Sequence, residues 1–263
     1  MERIRVNDTE LAFRIDGPAD APWVVCSHSL ACDHSMWDDQ RVALRDFRLL
    51  RFDTRGHGAS SAPIGEYTME QLADDARLLL DHLGIRRCHY VGLSMGGMLG
   101  QQLALRAPGR IASLTLADTS SRYPATARPL WEQRIAAVRR GGMDAVLPAT
   151  LDRWFTPAFR ERQPDTVSRI AALIRATPVA GYIGCAHAIS RLDLTARLHA
   201  IDCPTLVMVG AEDQGTPVAM AEEIVQAIAG SRLEVIAGAA HLSNIEQAGR
   251  FNELLRRFIL DNS

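Results

Sequence analysis

No apolar run in this 263-residue sequence approaches the roughly 20 residues that a helix needs to cross a bilayer, so a helical membrane span is excluded. Cysteine is sparse. Cys26, Cys32, Cys88, Cys185 and Cys203 are odd in number, scattered and free of any C-x-x-C pair, which argues against a disulfide framework and against a zinc site. Reduced, mostly buried thiols are expected instead. Charge of one sign is lacking too: 29 Lys and Arg stand against 31 Asp and Glu, and the net charge of -2 creates no global field for nucleic acid or an anionic membrane. Neither is expected as a partner. The opening Met1-Glu2-Arg3-Ile4-Arg5 lacks the long apolar centre of a signal peptide, which makes the cytoplasm the expected location. The stretch Asp53-Thr54-Arg55-Gly56-His57-Gly58 has neither the Lys-Ser/Thr ending of a phosphate loop nor the glycine spacing of a dinucleotide fingerprint, so no cofactor or metal is expected. Paired Asp53 and Arg55 would fasten that loop internally, with His57 beside them.

What is present suits one sizeable core, with 47% hydrophobic and 23% charged residues and no repeat or low-complexity tract. Short apolar runs at Trp23 to Cys26, Phe47 to Phe52, His89 to Val91 and Ile111 to Leu116 read as buried parallel strands. Between the second and third, Met69, Leu72, Ala76, Leu79, Leu80 and Leu83 recur at helical spacing, with Thr68 as N-cap and Gly84 as stop. Arg3 to Val6 and Leu11 to Ile15 are close enough to form an antiparallel hairpin around Asn7-Asp8, at one edge of the sheet. Trp131 to Ile189 is helix-like throughout and broken by prolines. The alternation resumes with the strand Thr205 to Val209, a helix from Val218 to Ile228, the strand Leu233 to Ile236 and an amphipathic end from Phe251 to Leu260. The expected fold is α/β, a mostly parallel doubly wound sheet. Residues 1–120 and 200–263 would form the core, and residues 121–199 a helical cap inserted into it.

Gly92-Leu93-Ser94-Met95-Gly96 links a strand to a helix, and small residues around a serine permit a turn tight enough to project its hydroxyl. Ser94 is therefore a candidate nucleophile, which needs an imidazole to take its proton and a carboxylate to fix that imidazole's tautomer. In open α/β sheets such groups stand beyond the carboxyl ends of strands. Asp213 and His241 occupy those places, giving the chain order Ser94, Asp213, His241 found in α/β-hydrolases. Glu212 and Asp118 are the competing acids. The amides of Leu30 and Met95 are the candidate oxyanion donors, with His28 ordering the loop that carries Leu30. His34, His82, His89 and His199 stand singly and read as surface or satisfied core histidines.

Four segments carry a family resemblance: Cys26-Ser27-His28-Ser29-Leu30, Phe52 to Ser60, Val91 to Met98, and Ala240-His241-Leu242-Ser243-Asn244-Ile245-Glu246. The chain resembles the 3-oxoadipate enol-lactonase family of the α/β-hydrolase superfamily over nearly its whole length. The serine turn and the Asp-x-Arg-Gly-His-Gly loop are shared with many esterases, haloperoxidase-like enzymes and C–C hydrolases. His28-Ser29-Leu30, Ser60-Ser61, Gly181-Tyr182-Ile183-Gly184-Cys185-Ala186 and His-Leu-Ser-Asn-Ile-Glu look more specifically like the enol-lactonase. The resemblance implies an α/β-hydrolase fold with a helical cap and hydrolysis of 3-oxoadipate enol-lactone to 3-oxoadipate in protocatechuate or catechol catabolism. The small-molecule partner would be a lactone carrying a carboxylate. Arg122 or Arg134 would meet that charge, Trp131, Trp154 and Tyr182 would wall the pocket, and Ala186-His187 departs from the family by placing an imidazole near the pocket roof.

Two rivals stay open: a broad carboxylesterase or haloperoxidase-like perhydrolase with the same three residues, and a non-catalytic ligand receptor on a hydrolase scaffold. A histidine base implies activity that falls as pH drops through about 6–7. Oligomeric state is not legible.

Overall fold

The computed structural model describes residues 1–263. Its strands are β1 (Glu2–Val6), β2 (Thr9–Asp16), β3 (Trp23–Ser27), β4 (Arg48–Phe52), β5 (Cys88–Leu93), β6 (Ile111–Ala117), β7 (Thr205–Gly210) and β8 (Arg232–Ile236). They join in one sheet in the order β1-β2-β4-β3-β5-β6-β7-β8. β2 pairs antiparallel with β1 and β4, and all other pairs are parallel. Every residue of β5, β6 and β7 is buried, which is why these runs are mostly apolar and carry no charged residue on either face. The β1–β2 hairpin lies at one edge as expected, turning through Asn7 at φ +50°.

The core helices cover both faces. α1 (Met69–His82) starts where the Thr68 side chain accepts from the Gln71 N–H at 3.1 Å, and the chain leaves it through Gly84 at φ +67°. α2 (Met95–Arg106) follows β5 after a single residue. The insertion holds α3 (Arg128–Gly141), α4 (Leu147–Trp154), α5 (Pro157–Arg162), α6 (Pro164–Ala176) and α7 (Val179–Ser190). Its prolines mark helix starts, because a proline at the first position gives up an N–H that has no partner there. α8 (Val218–Ala227), the short α9 (Ser243–Glu246) and α10 (Ala248–Asp261) complete the chain.

Two contacts seat the insertion. At its neck, Tyr123 N–H donates to Leu192 O at 3.1 Å and Leu194 N–H to Ser121 O at 2.8 Å, so the outgoing and returning chains are zipped together. Above the sheet, α7 rests on the loop after β4 with backbone against backbone: a Cβ at Gly181 would stand 1.9 Å from Gly56 O. The Gly184 carbonyl accepts from Tyr67 N–H at 3.1 Å beside it. One continuous apolar core runs through sheet, helices and insertion.

Gly181→Ala is expected to lower unfolding stability by about 1–3 kcal/mol, the usual cost of forcing bulk into a packed contact. Gly249→Ala, whose added carbon meets nothing within 4 Å, serves as the control and leaves the thermal midpoint unchanged or raised. Thermal melts of the two variants check this.

Candidate active site

Ser94 stands between β5 and α2 at φ 55° and ψ -115°, a conformation unusual for a residue with a side chain. Crowding enforces the glycines on either side: a Cβ at Gly92 would lie 2.2 Å from Gly96 O, and one at Gly96 would lie 2.1 Å from Ser27 O. Ser94 N–H donates to Ala117 O at 2.9 Å, and its carbonyl accepts from Thr119 Oγ1 at 2.7 Å, which pins the turn against the end of β6. Its hydroxyl carries no protein hydrogen bond, and Ser94 borders a cavity.

Asp213 follows β7 and His241 follows β8. Asp213 Oδ2 accepts from His241 Nδ1 at 2.8 Å and from Thr216 Oγ1 at 2.7 Å, while Oδ1 accepts the N–H groups of Gly215 at 2.7 Å and Thr216 at 3.0 Å. Burial opposes ionisation of Asp213, but His241 and these donors outweigh it and hold the carboxyl below its ordinary range. That arrangement leaves Nε2 as the nitrogen of His241 turned to the cavity that Ser94 also borders. Burial disfavours the imidazolium. The Asp213 charge and hydrogen bond, joined by Asp118, outweigh burial and raise the His241 pKa.

The competing acids are placed otherwise. Glu212 is exposed. Asp118, at φ +45°, accepts from Gly210 N–H at 2.8 Å and from the Ser243 hydroxyl, so it ties the ends of β6 and β7 to the segment after His241. Burial and the neighbouring Asp213 charge push its carboxyl well above the usual range.

The loop after β3 is held by two imidazoles. His28 Nδ1 donates to Ser29 O at 2.8 Å while its Nε2 accepts from Thr54 N–H at 2.9 Å, and His57 Nε2 accepts from Ala31 N–H at 2.9 Å. Burial lowers both pKa values, that of His57 to about 3, which keeps the rings neutral and able to accept. Between these anchors the Leu30 N–H has no protein acceptor and Leu30 borders the cavity. Met95 N–H is the first amide of α2, a position with no intrahelical acceptor.

The cap closes the cavity with Trp131 and Arg134 from α3, Arg153 and Trp154 from α4, and Tyr182 from α7. Trp154 stacks on His241 with ring centroids 6.2 Å apart, and its carbonyl accepts from Leu242 N–H at 3.1 Å. The next cap residues are tied to the same loop through Glu246: one carboxylate oxygen accepts from the N–H and hydroxyl of Thr156, the other from Ala240 N–H at 2.9 Å.

Three expectations need correction. Arg122 is half-exposed and pairs with Glu223 of α8 at 2.6 Å, away from the cavity. His187 lies on the side of α7 that faces Glu66, 3.6 Å away, and does not line the cavity. Asp53 and Arg55 do not pair with each other. Arg55 reaches Asp75 at 2.7 Å and Asp8 at 2.7 Å, while Asp53 accepts from His34 and from Ala59 N–H. His34, read as a solitary histidine, is thus a partner of Asp53. Arg153 was not singled out by sequence; the available signal was the absence of any acid at helical spacing from it, a property it shares with Arg134.

The alpha/beta hydrolase fold family matches residues 22–248. The 3-oxoadipate enol-lactonase 2 of Acinetobacter baylyi is 36% identical over 98% of this chain and 97% of its own. The crystal structure of the enol-lactonase from Burkholderia xenovorans LB400 is 42% identical with a TM-score of 0.95, covering 98% of this chain and 100% of that one. A thermophilic esterase from Thermogutta terrifontis, solved with malate bound, is 31% identical with a TM-score of 0.93 over the full length of both chains.

As the proposed base, His241 must be neutral to accept a proton, and its raised pKa means that it protonates at higher pH than a free imidazole. The acid limb of kcat/KM is therefore expected above the ordinary value of about 6.5 and not at or below it. Asp213→Asn should move that limb to lower pH and cut kcat by about 10³- to 10⁴-fold, since the amide favours the wrong tautomer. A pH–rate profile of both proteins from pH 5 to 9 decides it.

Proposed function

Because the chain belongs to the α/β-hydrolase fold family, and within it to the family of the 3-oxoadipate enol-lactonases, we propose that it hydrolyses 3-oxoadipate enol-lactone to 3-oxoadipate. The setting would be the cytoplasmic catabolism of protocatechuate or catechol. One observation carries the reading: Arg134 and Arg153 border the same cavity as Ser94 and His241, and neither has a carboxylate partner in the protein. Arg153 donates only to Thr150 Oγ1 at 3.3 Å, and Arg134 lies over the Trp131 ring at 4.9 Å. Burial, then the like charge of Arg134, disfavours the charged form of Arg153, a cost that an anionic ligand relieves. The lactone's carboxymethyl arm is such an anion.

In this mechanism His241 Nε2 takes the Ser94 proton as Oγ bonds to the lactone carbonyl carbon. The carbonyl π pair moves onto oxygen, where the Leu30 and Met95 amides hold it. Collapse re-forms the carbonyl, breaks the ring C–O bond and passes the proton from His241 to the departing enol oxygen. Ketonisation of that enol makes ring opening hard to reverse. Water, deprotonated by His241, then attacks the acyl-enzyme, and Ser94 leaves with the proton returned.

A broad carboxylesterase is the second reading, favoured by the esterase relative. The lactone should be turned over with a higher kcat/KM than p-nitrophenyl acetate, and Ser94→Ala should abolish both activities; the reverse preference would sink the lactonase reading. Arg134→Met and Arg153→Met are each expected to lower kcat/KM for the anionic lactone about ten- to a hundredfold, the worth of a charge-assisted hydrogen bond. Turnover of neutral p-nitrophenyl acetate should change by no more than about two- to threefold, well within that charge-specific effect. Parallel steady-state kinetics on the two substrates check this.

A further inference from the structure

Ser29 is fully buried and borders the cavity, and its hydroxyl has no hydrogen-bond partner. Its backbone is fully engaged. The N–H donates to Met36 Sδ at 3.2 Å, and the carbonyl accepts from His28 Nδ1 at 2.8 Å and from Cys32 N–H at 3.1 Å. The residue is thus fixed in place with one free group. A buried hydroxyl without a partner costs about 1–3 kcal/mol, and such a group in a native protein calls for an explanation. Thr150, another hydroxyl on the cavity wall, needs none, because it donates to Val146 O and accepts from Arg153.

Ser29 also directly precedes Leu30, which borders the same cavity and whose amide has no protein acceptor. We propose that the Ser29 hydroxyl is a third donor to the acyl oxyanion, beside the Leu30 and Met95 amides. The hydroxyl rotor turns toward the carbonyl oxygen as that oxygen gains the π electron pair, and it releases the oxygen when the tetrahedral intermediate collapses. A neutral carbonyl makes an ordinary hydrogen bond there. An oxyanion makes a charge-assisted one, so the gain falls on the transition state and not on the bound substrate. No proton is transferred from Ser29. The assignment rests on Ser94 being the nucleophile, but not on which ester or lactone is the substrate, since every acyl transfer at Ser94 passes through this oxyanion.

The experiment is Ser29→Ala, assayed on the enol-lactone and on p-nitrophenyl acetate, with the thermal midpoint and the pH profile measured alongside. The change deletes one oxygen and adds nothing. Expected are a fall in kcat on the order of 10²-fold on both substrates, KM changed by no more than about twofold, an acid limb at the wild-type pH, and a thermal midpoint equal to or above wild type. Ser29→Cys, with a weaker donor, should fall between. An unchanged kcat, a rise in KM alone, or a loss confined to one substrate overturns the assignment; so does a lowered thermal midpoint with a displaced acid limb, which would mark a structural role through His28. Ser94→Ala is read separately: persisting activity there removes the nucleophile and with it the whole reading, whereas an inactive Ser94→Ala beside an indifferent Ser29→Ala removes Ser29 alone.

Discussion

Backbone crowding at the β5–α2 turn is the constraint on which the rest of the site depends. Gly96, in the first turn of α2, lies so close to the Ser27 carbonyl that no side chain fits between them. The loop after β3 and the turn holding Ser94 are therefore forced side by side, which puts the segment carrying Leu30 next to the first turn of α2. The same crowding accompanies the positive φ of Ser94, the single residue between β5 and α2. A single methyl group at Gly92 or Gly96 would distort the Ser94 turn or push it away from the loop after β3.

That geometry is strained, and the strain is local. Apart from Asn7 in the β1–β2 turn, the side-chain-bearing residues at positive φ are Ala31, Ser94 and Asp118, all beside the cavity or beneath it. Each such conformation costs on the order of 1–3 kcal/mol and persists only where its surroundings over-determine it. Here the surroundings are buried hydrogen bonds: His57 to the Ala31 amide, Thr119 to the Ser94 carbonyl, and Gly210 and Ser243 to the Asp118 carboxyl. Neutral imidazoles suit the loop after β3 because each can accept from a backbone N–H without bringing a charge near the oxyanion position. His241 is treated in the opposite way, with Asp213 favouring its charged form. These three buried histidines thus differ according to whether a carboxylate is hydrogen-bonded to the ring.

The sheet, the core helices and the all-helical character of the insertion were legible because their signals are local. Continuous apolar runs mark buried parallel strands, and Thr68 and Gly84 bracket α1 by their own side-chain and backbone preferences. That Ser94, Asp213 and His241 each follow a strand was legible because strand ends are. What failed depended on the direction of a side chain relative to a distant element. Arg122 and Arg134 look alike in sequence, yet one meets Glu223 on α8 and the other the cavity. His187 was drawn to the pocket by its neighbours on α7, but Glu66, more than a hundred residues earlier, stands on the side it faces. Asp53 and Arg55 looked like a pair because they are two residues apart; in an extended turn such residues diverge, and Asp75 and Asp8 are nearer to the guanidinium.

The cap cannot be treated as a detachable selector of substrates. Its α4 carries Arg153 toward the cavity, and one residue later Trp154 stacks on His241 while accepting a hydrogen bond from Leu242. Two residues beyond, Thr156 shares the Glu246 carboxylate with Ala240, the residue before His241. A shift of α4 that improves the fit of a ligand at Arg153 must therefore move, or strain, the loop that aims the imidazole. If Arg153 and His241 act as proposed, specificity in this scaffold should register in kcat as well as in KM, because Arg153 and the His241 loop are linked by the same few contacts.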